Sequence, residues 1–598
     1  MIFYRLRLAD FKRHHFEIDC RIENPANETR VSLPSWIPGS YLLREYARHV
    51  VSVSAESQGR PVSIEKADKR SWVVEGASED LTVTIRVHAL DLSVRGAYLD
   101  DTRAFFNGTC VFLSVFEREN EPADLVIEAP SEPKCADWRV ATAMTPANVD
   151  DRGFGRYTVK DYDELIDHPV EIGDFARLEF TAAGIAHAFT VTGRHSTDLD
   201  RVATDLRQLC ETQLSFFGEP APFDHYVFLG LAVDQGYGGL EHRASSSLVF
   251  NADDLPKPGE PGIPREYQRF LSLASHEYFH AWNVKQLKPE AFSPYRLGER
   301  NFTRLLWVFE GITSYYQDRM LLRGDLIGRD AYLDRLAQML TKVYRTPGRS
   351  LQTLAESSFE AWDKLYKPEP NSTNATISYY SKGALVALAL DLILRKETGS
   401  EVSLDTIVLE LWARYGRKGV GLGEADFETL AEQVAGVPLA AFFDTAVRTT
   451  VDLPLADLLA DFGIELARRA ATGPQDQGGV TKPPEIERPV SLGAAFKATS
   501  LGLELRTVRD GGPCEVAGLS AGDHVIAVDG YRVDSSNLLR RLARFESGET
   551  IPVTYFRRSE LRTCELTLEP APLDTCSLSV APSPAASALT LRQSWLGS

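Results

Sequence analysis

The segment Leu271-Ser272-Leu273-Ala274-Ser275-His276-Glu277-Tyr278-Phe279-His280-Ala281-Trp282 carries the pattern H-E-x-x-H inside an apolar periodicity. Tyr267, Phe270, Leu271, Ala274, Tyr278, Ala281 and Trp282 recur at helical spacing, which predicts one buried face. On a helix, residues four apart stand one above the other, so His276 and His280 aim their imidazoles at one point. Two neutral imidazoles suit Zn²⁺, and Glu277 between them is placed to act as a general base toward water. A core helix that carries two histidines for packing is the plain alternative. With 12 His in 598 residues, the pattern is rare by accident.

Upstream, His225–Val233 is a continuous apolar run that reads as a buried strand, and Ser246–Phe250 reads as a second one. Between them lies Asp234-Gln235-Gly236-Tyr237-Gly238-Gly239-Leu240-Glu241-His242. Its three glycines let a backbone pass close to a ligand and present Glu241; the alternatives are a turn cap or a pair with Arg243. Downstream, a loop with Pro289, Pro294 and Gly298 leads into an amphipathic helix over Leu305–Tyr316, with Glu310 on its apolar surface. A buried carboxylate requires a cation or strong donors. Further helical patterns at Ala331–Tyr344, Tyr380–Lys396 and Ser403–Tyr415 make residues 300 to 450 mainly α.

The first 170 residues read as β, with short alternating runs such as Leu81–His88 cut by Gly, Pro and Asn-rich turns. Within them, Trp36-Ile37-Pro38-Gly39-Ser40-Tyr41 predicts a rigid, partly exposed loop, either a Trp plug in a sheet corner or the rim of an active site. A helix is expected over Thr197–Phe217. Beyond a polar Pro/Gly linker at 472–490, Leu501–Leu505 and Ala517–Gly530 frame a small strand-rich module with a short helix at Ser536–Phe545. The Ser, Ala and Pro-rich tail from Ala571 is expected to be loosely ordered.

Composition narrows the classes. At 598 residues the chain exceeds one core. A net charge of -19 with both signs interspersed offers no basic face for nucleic acid or anionic lipid. The N-terminus lacks a signal-peptide pattern, and there is no run of 18 apolar residues to span a membrane. Seven scattered cysteines without a C-x-x-C pair read as reduced thiols, so a cytoplasmic location is expected.

Four segments in order resemble the gluzincin aminopeptidases: Gly238-Gly239-Leu240-Glu241-His242, His276-Glu277-x-x-His280-x-Trp282, Trp307-x-x-Glu310-Gly311 and Tyr380-Ser381-Lys382-Gly383. With the Trp36–Tyr41 loop and a C-terminal PDZ-like module, the chain is similar to the glycyl aminopeptidase family, metallopeptidase family 61. That resemblance implies one Zn²⁺ per chain on His276, His280 and Glu310, with Glu277 as base and Tyr380 stabilising the tetrahedral intermediate. It also implies that Glu241 binds the substrate's α-amine, with Gly238 and Gly239 alongside the substrate, and a preference for small N-terminal residues such as Gly and Ala.

Two features depart from the pattern. His242 stands where the motif has Asn, and 29 residues separate His280 from Glu310, while the 18 found in the larger gluzincin aminopeptidases would select Glu299. Glu299 lies on a loop between Arg296 and Arg300, whereas Glu310 lies on an apolar helix, so Glu310 is the expected ligand. Tyr379 competes with Tyr380, and the carboxylate-binding loop of the PDZ module matches Ser500-Leu501-Gly502-Leu503 only loosely.

The expected architecture is an N-terminal all-β domain (1–171) and an α+β, thermolysin-like gluzincin zinc peptidase domain (172–471), β/α to about 320 and mainly helical after. The linker (472–490), a PDZ domain (491–570) and the tail (571–598) follow. The expected activity is that of a zinc aminopeptidase on peptides with free N-termini, with a peptide C-terminus as candidate PDZ ligand and no nucleic-acid or membrane partner. A zinc endopeptidase or other hydrolase on the same site, and an inactive PDZ scaffold, are the alternatives; four intact site residues, His276, Glu277, His280 and Glu310, count against the scaffold.

Overall fold

Alternating burial builds the N-terminal domain: along Asp80–His88, Leu81, Val83, Ile85 and Val87 are buried and the residues between them are partly exposed. A computed structural model describes residues 1–77, 79–479 and 490–597. The chain divides into two units, Met1–Phe302 with Arg323–Ile327 and Leu411–Gly423, and Thr303–Leu322 with Gly328–Glu410 and Glu424–Ser598.

In the first unit, Asp80–His88 lies in an eight-stranded sheet between His15–Glu23 and Val50–Ser57. The expected β character of the first 170 residues holds, with only short helices among the strands. A second sheet of five strands runs in the order Ala176–Ala182, Ile185–Thr192, His225–Val233, Ser245–Asn251, Gly238–Glu241. Its three middle strands are parallel, and the apolar run at His225–Val233 occupies the centre, where both faces are covered. Gly238–Glu241 is the edge strand, antiparallel to its neighbour. Helix Leu199–Phe217 starts at Asp198, whose side chain accepts from the Arg201 amide, and stops at Gly218 with φ 69°. Helix Arg265–Phe279 carries His276 and Glu277 on its last turn, ends with His280 as its C-cap, and packs against the edge strand.

The second unit is mainly helical up to Asp461. Trp307–Gly311 forms a π turn and continues as helix Ile312–Arg323, where a single helix was expected from sequence. A Cβ on Gly311 would lie 2.7 Å from Cα of Gly383, so these glycines let the π turn meet helix Tyr379–Glu397 backbone to backbone. The span Ser372–Glu397 is long and apolar enough to cross a bilayer, yet 83% of its most apolar window is buried, as in a core helix.

The tail contradicts the expectation of loose order. Strand Thr575–Val580 pairs antiparallel with Ile464–Arg469, and helix Ala586–Leu596 follows. The PDZ module is thereby inserted between two paired strands. Trp595, 1% exposed, donates to the Tyr315 hydroxyl at 3.1 Å; Tyr315 donates to Asp391 at 2.7 Å, and Arg395 reaches both Asp391 and the Ser594 carbonyl. Composition suggests disorder for such a segment, but one aromatic anchor and a strand pairing supply the burial that ordering requires. Trp595→Ala is expected to cost about 3–5 kcal/mol in chemical denaturation of the full chain; a change below about 1 kcal/mol would show that the tail lies outside the core.

Of the expected linker, residues 480–489 lie outside the described ones, Pro483 and Pro484 included. Its beginning is folded: Asp476 accepts from the Thr472 and Gly478 amides, and the Gly479 amide donates to Cys576 at 2.8 Å. In the PDZ module, strand Gly502–Val508 pairs with Ala494–Thr499 on one side and His524–Val528 on the other. Ser500-Leu501 is thus a hairpin tip with Thr499 facing Gly502, and the strand after it pairs along Ala494–Thr499 and, at Leu503 and Glu504, with His524–Val528. One end of the sheet is Ala494–Thr499.

Candidate active site

In the first unit, His276 and His280 bring their Nε2 atoms within 3.0 Å, with the rings nearly perpendicular at 86°. The Asn283 carbonyl accepts from His280 Nδ1 at 2.8 Å, which selects the tautomer with a lone pair on Nε2, the form that ligates a metal. Zn–N bonds are about 2.0–2.1 Å, so both nitrogens can reach one ion. The helix's carbonyl end, with its partial negative charge, lies at this point and favours a cation. The residues present therefore fit zinc.

Glu241, Glu277 and His280 are all buried, and their ligand atoms lie within 4.8 Å of one another. Glu241 reaches this point because it ends the edge strand against which the histidine helix packs. Gly239 sits so near Glu277 that any Cβ would overlap the carboxylate, and its own carbonyl accepts from Arg95 at 3.2 Å. Gly238 has more room: a Cβ there would meet only Arg95, at 3.6 Å. Arg243 pairs with Asp163 and Asp167.

Behind Glu241, the departure at His242 has a partner that sequence does not reveal. His242 Nδ1 lies 3.3 Å from Asp167, which also accepts from Lys285 at 2.6 Å and from the Arg243 amide at 3.1 Å. Burial would raise the Asp167 carboxyl, but Lys285 and Arg243 hold it well below the usual range. Burial pushes the His242 imidazole down, against the pull of Asp167. The Lys285 amide donates to the His280 carbonyl, so one buried charge cluster braces both the strand end at Glu241 and the turn after His280. No motif marks Asp167 or Lys285.

In the second unit, Glu310 is 2% exposed within the π turn, among Leu306, Trp307, Phe309 and Ile312, all buried. Single π turns often mark functional positions. Glu299, in the first unit, is exposed and pairs with Arg296 at 3.2 Å. Tyr379 and Tyr380 stack at 4.7 Å on the first turn of their helix. Tyr379 is fully buried, and burial, with Tyr366 and Glu310 nearby, pushes its hydroxyl well above the usual range. Tyr380 is half-buried and its hydroxyl lies 2.9 Å from that of Tyr366, a residue with no sequence signal.

Family models match along the chain: the peptidase M61 N-terminal domain at residues 3–174, the M61 glycyl aminopeptidase at 269–386 and a PDZ domain at 490–568. A crystal structure of an aminopeptidase N family protein from Idiomarina loihiensis is 38% identical, with a TM-score of 0.95 and 99% of each chain covered. An M1 zinc metallopeptidase from Deinococcus radiodurans is 13% identical, covering 76% of this chain and 94% of that one at a TM-score of 0.48, too distant to carry a residue or an activity across. No curated protein matches by sequence. The chain belongs to the M61 glycyl aminopeptidase family. It is a peptidase.

Proposed function

We propose that the chain is a zinc-dependent aminopeptidase that removes one residue from free peptide N-termini, preferring small residues such as Gly and Ala. The observation that carries this reading is the meeting of His276 and His280 Nε2 at 3.0 Å beside two buried carboxylates. His276, His280 and Glu310, a donor set of the kind that holds a metal, would bind one Zn²⁺. Zinc, when bound, supplies a Lewis acid for the scissile carbonyl and brings water into nucleophilic range at neutral pH.

Glu277 takes the proton of the attacking water and returns it to the leaving amine, acting first as base and then as acid. The Tyr380 hydroxyl donates to the carbonyl oxygen as negative charge builds there, and its half-buried position suits this better than the sealed one of Tyr379. Glu241 binds the substrate ammonium and sets the register, with the backbone of Gly238 and Gly239 alongside the substrate chain. At the PDZ module, a peptide C-terminus would add to the sheet's end strand, Ala494–Thr499.

The test is metal analysis combined with turnover of glycyl, alanyl and leucyl substrates, with and without a chelator. Stoichiometric zinc, chelator-sensitive turnover and faster cleavage of the small residues are expected; full activity without metal would overturn the reading. Glu241→Ala is expected to raise KM and lower kcat for free N-termini while N-acetylated peptides stay poor substrates. Equal changes for free and acetylated peptides would remove the amine anchor and point to an endopeptidase.

A further inference from the structure

The loop Trp36–Tyr41 lies beside Glu241, with Gly39 facing its carboxylate. A Cβ on Gly39 would stand 2.5 and 2.6 Å from the two Glu241 oxygens and 2.7 Å from their carbon, so the Gly39 backbone faces the carboxylate end-on. Gly39 also has φ +90°, a conformation that side chains resist. We propose that this loop is the wall that closes the substrate site at its amino end, with Gly39 as a positioning residue for Glu241. With Gly39 packed against the carboxylate, a compact ammonium reaches Glu241 on the side that the loop leaves open, whereas a chain that continues past the amine, or an acyl cap, runs into the loop at Gly39. The inference rests on the reading of Glu241 as the amine anchor.

A wall must not yield, and this loop is fastened at several points. Contrary to the partly exposed loop expected from sequence, Trp36 and Tyr41 are fully buried. Trp36 donates its indole N–H to the Arg296 carbonyl at 3.0 Å, and the Ser35 amide donates to Leu297 at 2.7 Å. Tyr41 stacks on Phe292 at 5.8 Å. Inside the loop the Ser40 amide donates to the Ile37 carbonyl, and Arg44 donates to the Ser40 hydroxyl at 2.7 Å. The facing carboxylate is equally fixed: Leu240, just before it, packs into the N-terminal core. Plug and rim, the two readings the sequence leaves open, are one device: Trp36 and Tyr41 anchor the loop that places Gly39.

The experiment measures steady-state kinetics of the zinc-loaded full chain on an alanyl substrate and its N-acetylated form. Gly39→Ala is expected to raise KM for the free substrate by roughly 10–200-fold, the usual range for one misplaced methyl group in a pocket, with a smaller change in kcat. Gly59→Ala is the control: Gly59 has φ +70° and nothing within 4 Å of its Cβ position, so it carries the backbone strain without the contact. It should leave the kinetics unchanged. In a Glu241→Ala background, Gly39→Ala should add nothing, because the two act through one contact. Arg44→Ala loosens the loop without filling the site and is expected to lower the preference for free over acetylated substrate by about tenfold. Kinetics for Gly39→Ala that match Gly59→Ala would overturn the positioning role, and an unchanged preference in Arg44→Ala would overturn the wall. If Gly39→Ala does not fold, Arg44→Ala decides. A lost preference in Arg44→Ala with none lost in Glu241→Ala would retire the anchor and keep the wall.

Discussion

Glu277→Gln is expected to retain its metal and lose hydrolysis by about 10²–10⁴-fold, the range that a positioned general base contributes. Glutamine matches glutamate in shape, so the close approach of Gly239 to this side chain is preserved and the helix has no reason to shift. The amide cannot accept the water proton, which removes the base without removing the neighbouring imidazoles. Glu277 is 5% exposed, so bulk solvent does not readily replace it as proton acceptor. Metal content and kcat measured on one preparation decide the matter. Parallel loss of metal would make Glu277 structural, and near-normal turnover would assign the base elsewhere.

Glu310→Ala is expected to release zinc and abolish activity, while Glu299→Ala keeps both. Residues that merely orient metal ligands change affinity by roughly 10–100-fold, and a direct carboxylate ligand contributes at least as much. Spacing from His280 points to Glu299, but its side chain is 64% exposed and already paired with Arg296. Solvation satisfies such a carboxylate, and it gains little from a metal. Glu310 is 2% exposed on a rigid turn, where a charge costs several kcal/mol unless paired. The Gly311–Gly383 contact holds that turn against the helix bearing Tyr380, so Glu310 and Tyr380 share one support. Zinc retained by Glu310→Ala and lost by Glu299→Ala would reverse the assignment.

Much of the local structure around the candidate site was readable in short stretches. The histidine pair and Glu277 lie within one helical turn, and the apolar repeat around them identifies the helix that aligns them. The buried strand at His225–Val233 and the alternation at Leu81–Val87 follow from side-chain period alone. These features are local, so a window of ten to twenty residues contains their cause.

Other features depend on which distant segments pair, and no window contains that. Asp167 meets Lys285 across 118 positions and His242 across 75, and neither pair has a spacing rule. The π turn at Glu310 packs, through Gly311, against Gly383 arriving from another helix. Trp595 bonds to Tyr315 across 280 positions, which makes core out of a tail whose composition reads as disordered. The hairpin at Ser500-Leu501 follows from the strand on each side. Gly39 is ambiguous as a letter because a turn alone would justify it. Only folding puts Glu241 against its missing Cβ, since the free energy of that contact comes from packing two segments that never meet in sequence.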